Sequence, residues 1–317
     1  MRLVVTHPTP APAAELLEQA GHDVIVGPGS STEQELHELV RGADGAITWL
    51  VDRIDDGFLD AAGPQLRVVS NYAVGLDNVD LGACARRGVK VGHTPDVLTG
   101  AVAELAVALV LAVARQIVVN DRDLRRKGSL GWGHAQLEGM ELRGRTLGVV
   151  GAGRIGSAVA GIAHGGFGME VVYTSRSEKR DVTGWRVELD ELLRGSDVVV
   201  VTIALTGETH HLIGAREIAL MRRDAILVNV SRGPIVDEHA LVEALREGRI
   251  AGAGLDVYEF EPQPLPELFA LDNVTVTPHV GSATAETRAA MARLAAENVL
   301  AGISGRPLPA EAAPPSP

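Results

Sequence analysis

The sequence predicts an α/β protein made of two doubly wound parallel-sheet domains, one inserted into the other. Three observations carry this. Short runs rich in Val and Ile alternate with helix-like segments through most of the 317 residues, the rhythm of parallel strands covered by helices. The length suits two domains. A glycine-spaced loop, Gly151-Ala152-Gly153-Arg154-Ile155-Gly156, follows an apolar run in mid-chain, so a unit of its own must precede it.

In order, the first unit offers strands at 2–6, 23–26, 46–50, 67–70 and 89–91. Helices lie between them at 13–20, 32–40, 57–61 and 81–87, and Thr32 and Glu35 have capping-box spacing. A long Ala- and Val-rich helix is expected over 99–127, then a glycine-broken loop over 128–144 containing Trp132. The second unit starts at Thr146, with strands at 146–150, 170–173, 198–202, 225–230, 253–257 and 274–277, and a helix over 157–163. A last helix, 283–303, is expected to return to the first unit. The division is then 1–98 plus 284–317 for one domain and 99–283 for the other. The Pro- and Ala-rich tail, 304–317, is expected to be disordered.

Composition narrows the function. Hydrophobic residues make up 46% and aromatic ones 3%, so the core should be aliphatic. A net charge of −12 argues against nucleic acid or an anionic membrane as the main partner. Cys84 is the only cysteine, which excludes a disulfide framework or a multi-cysteine metal site and fits a reducing cytoplasm. The N-terminus reads as a strand meeting Pro8, not as a signal peptide. The apolar stretch 101–114 is interrupted by Glu104 and ended by Arg115, so it reads as a buried helix and not a membrane span.

The glycine loop sits between a strand and a helix, as a dinucleotide site requires. The first glycine permits the tight turn, the second lets backbone approach the pyrophosphate, and the third packs helix on strand; the phosphates rest on the helix N-terminus. All six residues from Gly151 to Gly156 are therefore candidate cofactor contacts. The second unit is expected to be a Rossmann cofactor domain, inserted into a flavodoxin-like substrate domain. Ligands of open parallel sheets bind beyond the carboxyl ends of the strands. There the second unit carries Val230-Ser231-Arg232-Gly233, then Asp256 with Glu259 and Glu261, then His279 with Gly281. Each alone has a bland reading: a surface arginine, loop charge, a structural histidine. One cation, one carboxylate and one imidazole at one sheet edge read better as a site. His210 and His211 are adjacent, which should point them apart and make a poor metal pair, so no metal site is expected.

These segments resemble the D-isomer-specific 2-hydroxyacid dehydrogenases. The resemblance rests on the glycine loop, on Asn229-Val230-Ser231-Arg232-Gly233-Pro234-Ile235-Val236-Asp237, on Ala251-Gly252-Ala253-Gly254-Leu255-Asp256-Val257 and on Thr277-Pro278-His279-Val280-Gly281-Ser282-Ala283. Upstream, Asn71-Tyr72-Ala73-Val74-Gly75-Leu76-Asp77-Asn78-Val79-Asp80 and Thr94-Pro95-Asp96-Val97-Leu98-Thr99 resemble the glyoxylate/hydroxypyruvate reductase branch. The resemblance implies hydride transfer between a nicotinamide cofactor and a small 2-oxoacid. It makes Arg232 the clamp for the substrate carboxylate, His279 the proton donor to the carbonyl oxygen, and Glu261 the partner of the imidazole. It places Leu50, Val74 and Gly75 at the substrate, and Val230, Ser231, Asp256 and Gly281 at the cofactor. It also implies a homodimer packed through the 99–135 region.

Ile203-Ala204-Leu205-Thr206 lacks the family's proline, which suggests a looser loop on the cofactor side, and an extra glycine falls at Gly165-Gly166. An acidic residue after the second strand would accept the ribose hydroxyls of NAD, but that slot reads Thr174-Ser175-Arg176-Ser177, with Lys179 and Arg180 behind it. Two hydroxyls and a guanidinium suit a 2′-phosphate, so NADP(H) is expected ahead of NAD(H). Glu178 and Asp181 leave open a merely solvated charge cluster. Two alternatives stand beside the reductase: a phosphoglycerate- or phosphite-type dehydrogenase, for which Arg53 is the one obvious extra base, and a non-enzymatic dinucleotide-sensing protein.

Overall fold

The computed structural model describes residues 1–29, 32–128, 138–179 and 181–312. The chain forms two compact units, Met1–Leu98 with Ser282–Pro317, and Thr99–Gly281. In the first, strands β1 (Arg2–Val5), β2 (Asp23–Val26), β3 (Gly45–Thr48), β4 (Val68–Asn71) and β5 (Lys90–Gly92) alternate with helices α1 (Ala13–Gln19), α2 (Glu33–Val40), α3 (Asp56–Ala62) and α4 (Leu81–Arg86). The sheet is parallel, in the order β2-β1-β3-β4-β5. Helix α2 starts at the capping box: Glu35 N–H donates to the Thr32 hydroxyl, and Thr32 N–H donates back to the Glu35 carboxylate at 2.7 Å. Its apolar positions, Leu36 and Val40, bury against Phe58, Leu59 and Ile54.

In the second unit, helices α5 (Thr99–Ala114) and α6 (Ile117–Lys127) precede β6 (Thr146–Val150), α7 (Arg154–Phe167), β7 (Glu170–Thr174), β8 (Trp185–Arg186), α8 (Leu189–Gly195), β9 (Val198–Val201), α9 (Ala215–Leu220), β10 (Ile226–Asn229), α10 (Glu238–Arg246), β11 (Gly252–Leu255) and β12 (Val274–Val276). The parallel sheet runs β12-β11-β10-β9-β6-β7-β8, so the strand order reverses between β6 and β9. Strands buried on both faces need continuous apolar runs. Val198 to Val201 and Ile226 to Val228 supply them, packed with Leu192, Leu193, Leu241 and Leu245.

The long helix expected over 99–127 is broken. α5 and α6 meet at a 57° bend. Gln116 there is left-handed at φ 51°, and Met140 N–H takes the Ala114 carbonyl at 2.7 Å, which satisfies the end of α5. The change of surroundings explains the break: α5 buries Val102, Ala103, Ala106, Leu109, Val110 and Ala114, whereas α6 has no buried residue and carries ion pairs such as Asp121–Arg125 and Asp123–Lys127. Among the described residues, no single helix is long and apolar enough to cross a membrane.

After β12 the chain returns to the first unit as α11 (Ala285–Ile303), which packs on α1, β3 and β4. The tail differs from expectation as far as residue 312. His93 N–H donates to the Ala310 carbonyl and Ala312 N–H to the Val91 carbonyl, at 3.1 and 2.8 Å, and Glu311 bridges Gly92. The buried Asn298 accounts for this: its oxygen accepts Ala310 N–H, and its amide donates to Ser70 and to the His93 carbonyl. A Pro-rich stretch needs few of its own backbone bonds when a buried amide supplies them. Residues 313–317 lie outside the described residues.

Candidate active site

The glycine loop leaves β6 beside the reversal of strand order. Gly151 has φ 101°, and a Cβ there would lie 2.7 Å from the backbone of Ile203. At Gly156 a Cβ would stand 2.3 Å from the Gly151 carbonyl oxygen, so only glycine lets α7 pack this closely. Gly153 is the opposite case: its Cβ would meet nothing within 4 Å. That open face at the start of a 14-residue helix is where an anion can reach backbone N–H groups. Ala152 is buried, and Arg154 and Ile155 begin α7. The loop is anchored by Gly151 N–H to the Thr174 carbonyl at 3.1 Å and by the Thr202 hydroxyl to the Gly151 carbonyl at 2.7 Å. These groups fit a dinucleotide pyrophosphate.

Beyond β7, the Ser175 hydroxyl donates to the Ser177 carbonyl at 2.5 Å, and Arg176 is exposed. Arg186 on β8 also reaches this turn. Its Nε donates to the Ser175 carbonyl at 2.8 Å, which brings a second guanidinium to this turn. A two-residue strand leaves no periodic signal, so nothing in the amino-acid pattern places Arg186 here. Lys179 is tied through its backbone to Tyr173 Oη, and Arg180 lies outside the described residues. The loop after β9 is not loose despite its missing proline. Thr206 N–H donates to the Thr209 hydroxyl, which donates to the Ala204 carbonyl at 2.8 Å, and the Ser231 hydroxyl donates to the Ile203 carbonyl. The extra glycines at 165 and 166 sit in α7 facing open space.

At the end of β10, Val230 is buried and Asn229 staples the turn: its oxygen accepts Ser231 N–H at 3.1 Å and its amide donates to the Arg232 carbonyl at 3.0 Å. The Arg232 guanidinium donates to the Ser231 carbonyl. Gly233 follows of necessity, because a Cβ would fall 1.8 Å from the carbonyl carbon of Tyr258. That contact brings the end of β10 against the loop carrying Glu261. Glu261 Oε1 accepts Tyr258 N–H at 3.0 Å, and Oε2 lies 3.0 Å from His279 Nδ1. Burial works against the Glu261 charge, but the His279 hydrogen bond and charge, the Tyr258 N–H and the Arg232 charge outweigh it and hold the carboxyl below its ordinary range. A carboxylate only accepts, so Nδ1 carries the proton and Nε2 is left for another partner.

His279 has φ 53°, an uncommon conformation for a residue with a side chain. Asp256 holds it there. Its buried carboxylate accepts the Thr277 hydroxyl at 2.6 Å and the N–H groups of Val280 and Gly281 at 2.8 Å each, bracketing the histidine on both sides. Glu238, at the start of α10, is buried, and its sequence position does not reveal it. It accepts Glu259 N–H at 2.8 Å and Leu265 N–H at 2.7 Å, while Glu259 accepts Glu238 N–H at 3.0 Å. This reciprocal clamp fixes both flanks of Glu261.

Of the residues expected at the substrate, Leu50 follows β3 and is half-buried, and Val74 and Gly75 follow β4. The Gly75 carbonyl accepts from Asn71 at 2.9 Å, and the Val74 carbonyl lies 3.0 Å from His93 Nδ1. The expectation that His210 and His211 point apart is wrong: their ring centroids are 4.1 Å apart, because His211 is left-handed at φ 52°.

A parallel sheet with a glycine cradle at its strand-order reversal, and an Arg, a Glu–His pair and an Asp at adjoining strand ends, defines a nicotinamide-dependent oxidoreductase site. Residues 107–281, more than half of the chain, match the family model described as the D-isomer specific 2-hydroxyacid dehydrogenase, NAD binding domain. The chain is 47% identical over 282 residues to the glyoxylate reductase of Thermococcus onnurineus, covering 86% of this chain and 84% of that one. It also resembles the solved TT0316 protein from Thermus thermophilus, at TM-score 0.93 and 45% identity over 99% of this chain and 100% of that one. The NADPH-dependent glyoxylate/hydroxypyruvate reductase of Sinorhizobium meliloti, solved with NADP and malonate, aligns at TM-score 0.86 and 32% identity over 98% and 96%. The chain belongs to the D-isomer specific 2-hydroxyacid dehydrogenase family.

Proposed function

We propose that this protein reduces a small 2-oxoacid of the glyoxylate or hydroxypyruvate type to the 2-hydroxyacid, with NADP(H) ahead of NAD(H). The observation carrying the reaction is the His279–Glu261 pair beside Arg232. When bound, the nicotinamide supplies the hydride. Arg232 holds the substrate carboxylate and polarises the adjoining carbonyl. Glu261 accepts from His279 Nδ1 and so orients the ring, leaving Nε2 to give a proton to the carbonyl oxygen as it gains charge. Asp256 holds His279 in its strained backbone conformation, and its remaining acceptor capacity faces the nicotinamide amide. Val230, Ser231 and Gly281 line the cofactor, and Leu50, Val74 and Gly75 contact the substrate. On this reading 99–283 is the cofactor domain, and 1–98 with 284–317 the substrate domain.

Glyoxylate as substrate class is supported by the name of the Thermococcus relative, which counts against the phosphorylated-substrate and sensor readings. NADP preference is supported by Ser175, Arg176 and Ser177 in the ribose slot, by the nearby Arg186, and by the NADP bound in the Sinorhizobium structure. A homodimer through the 99–135 region is supported by the exposed Ile117, Val118 and Leu124 of α6; Trp132 lies outside the described residues. A cytoplasmic site of action is supported by the single, buried Cys84, whose thiol burial pushes up to about 11. The test is a panel of glyoxylate, hydroxypyruvate, pyruvate and bulkier 2-oxoacids against NADPH and NADH. Glyoxylate or hydroxypyruvate with NADPH should give the highest kcat/KM, and Arg176→Ala should raise KM for NADPH far more than for NADH. A higher kcat/KM with NADH would overturn the cofactor assignment, and failure to turn over any 2-oxoacid would overturn the reading.

A further inference from the structure

Outside the proposed site, two loops of the second unit bring three metal-ligating side chains together. His210 and His211 lie after β9, and Glu259 lies after β11. One donor atom from each falls within 4.8 Å of the others. Sequence adjacency would splay the two imidazoles, but the left-handed backbone at His211 turns them to a 34° tilt with centroids 4.1 Å apart. His211 Nε2 comes within 2.6 Å of Glu259 Oε1.

We infer that His210, His211 and Glu259 form a binding site for a borderline divalent transition-metal cation, of which Zn²⁺ is the representative. Two imidazoles and one carboxylate are a zinc donor set that leaves a fourth position to water, and nitrogen donors disfavour Mg²⁺ and Ca²⁺. Tetrahedral zinc with bonds of about 2.0–2.1 Å places its donors about 3.3 Å apart, so loading asks the His211–Glu259 pair to open by less than about 1 Å.

The donors are held from behind, as metal ligands are. Glu259 Oε2 accepts Glu238 N–H at 3.0 Å, which fixes the carboxylate and leaves Oε1 toward the histidines. The backbone N–H groups of His210 and His211 donate to the carbonyls of Thr206 and Pro234, at 3.0 and 2.8 Å. Both histidines are exposed, so the cation has an open path from solvent. A bound cation displaces the proton between His211 and Glu259 and joins the loop after β9 to the loop after β11. The inference concerns residues distinct from Arg232, Glu261 and His279, and it stands whether or not the proposed reaction does.

The test titrates ZnCl₂ into the untagged full-length protein against a chromogenic chelator. Cobalt substitution then reports coordination through its visible absorption. His210→Ala, Glu259→Gln and His211→Asn are the variants; asparagine is chosen because it tolerates the left-handed backbone that His211 occupies. Circular dichroism checks that each folds, and His279→Ala serves as a control outside the cluster. One zinc per chain should compete with the chelator, with tetrahedral cobalt bands. Each cluster variant should lose at least about tenfold in affinity, and His279→Ala should bind as wild type does. Absence of zinc uptake by the wild type, or equal uptake by folded His210→Ala and His211→Asn, would overturn the site.

Discussion

The clamp behind Glu261 makes a prediction whose size can be worked out. Glu238 is 4% exposed and accepts two backbone N–H groups, Glu259 at 2.8 Å and Leu265 at 2.7 Å, one on each oxygen. In Glu238→Gln one oxygen becomes an NH₂, so one buried N–H faces a donor and goes unpaired, at about 1–3 kcal/mol. The surviving bond changes from charged to neutral and loses about 1 kcal/mol more. Relief of the buried charge offsets part of this, leaving a net loss of about 2–3 kcal/mol. The loop between these donors carries Glu261 itself, and the Tyr258 N–H that steadies its carboxylate immediately precedes the first of them. We therefore expect a lower midpoint in urea at unchanged m-value, and a kcat reduced about tenfold, or about 1.4 kcal/mol. The acid limb of the pH–rate profile should also move to higher pH, as Glu261 loses support for its charged form. Cofactor affinity, set at the glycine loop, should stay at the wild-type value. A variant that unfolds at the wild-type urea concentration and turns over normally would refute the clamp.

Gly233→Ala places a Cβ 1.8 Å from Tyr258 backbone, so it should cost about 3 kcal/mol or more and is checked by thermal unfolding of the purified variant. Glu261 has a depressed carboxyl pKa, so its contribution to stability is present above the ordinary value of 4.5 and is lost as pH falls through the folded value. As pH falls from 4.5 through the folded value, urea midpoints should fall less steeply in Glu261→Gln than in the wild type. His7 is the opposite case. The Asp52 hydrogen bond, resisted by burial and aided by the Asp52 charge and a Gly29 backbone contact, raises its pKa above 6.5. Its contribution is full below that value and lost as pH rises through the folded one, so His7→Gln should flatten the loss of stability between pH 6.5 and the alkaline range.

The strand ends were legible because apolar runs of four to five residues, each followed by a polar group, mark where a parallel sheet places its chemistry. Arg232, Glu261, His279 and the glycine loop each sit at such an end. The features that the sequence pattern does not reveal depend on contacts remote in sequence. Arg186 reaches Ser175 across a strand of two residues. Glu238 looks like an ordinary first-turn acid of α10, and only the return of the loop after β11 buries it. The bend between α5 and α6 was hidden because the helical pattern continues through Gln116, and the segment near Met140 that ends α5 comes from well beyond it. The ordering of residues 304–312 was hidden likewise, because Asn298 and β5 supply its partners. The pairing of His210 with His211 follows from one left-handed residue that composition does not betray.

The central claim is that His279, oriented by Glu261, gives a proton to the substrate carbonyl. It is tested most directly by measuring glyoxylate-dependent oxidation of NADPH by wild type and His279→Ala, alongside the dissociation constant of each for NADPH. The account predicts a kcat lower by about 10²–10⁴ in the variant, with cofactor affinity near that of the wild type. Turnover by His279→Ala at close to the wild-type rate would contradict it.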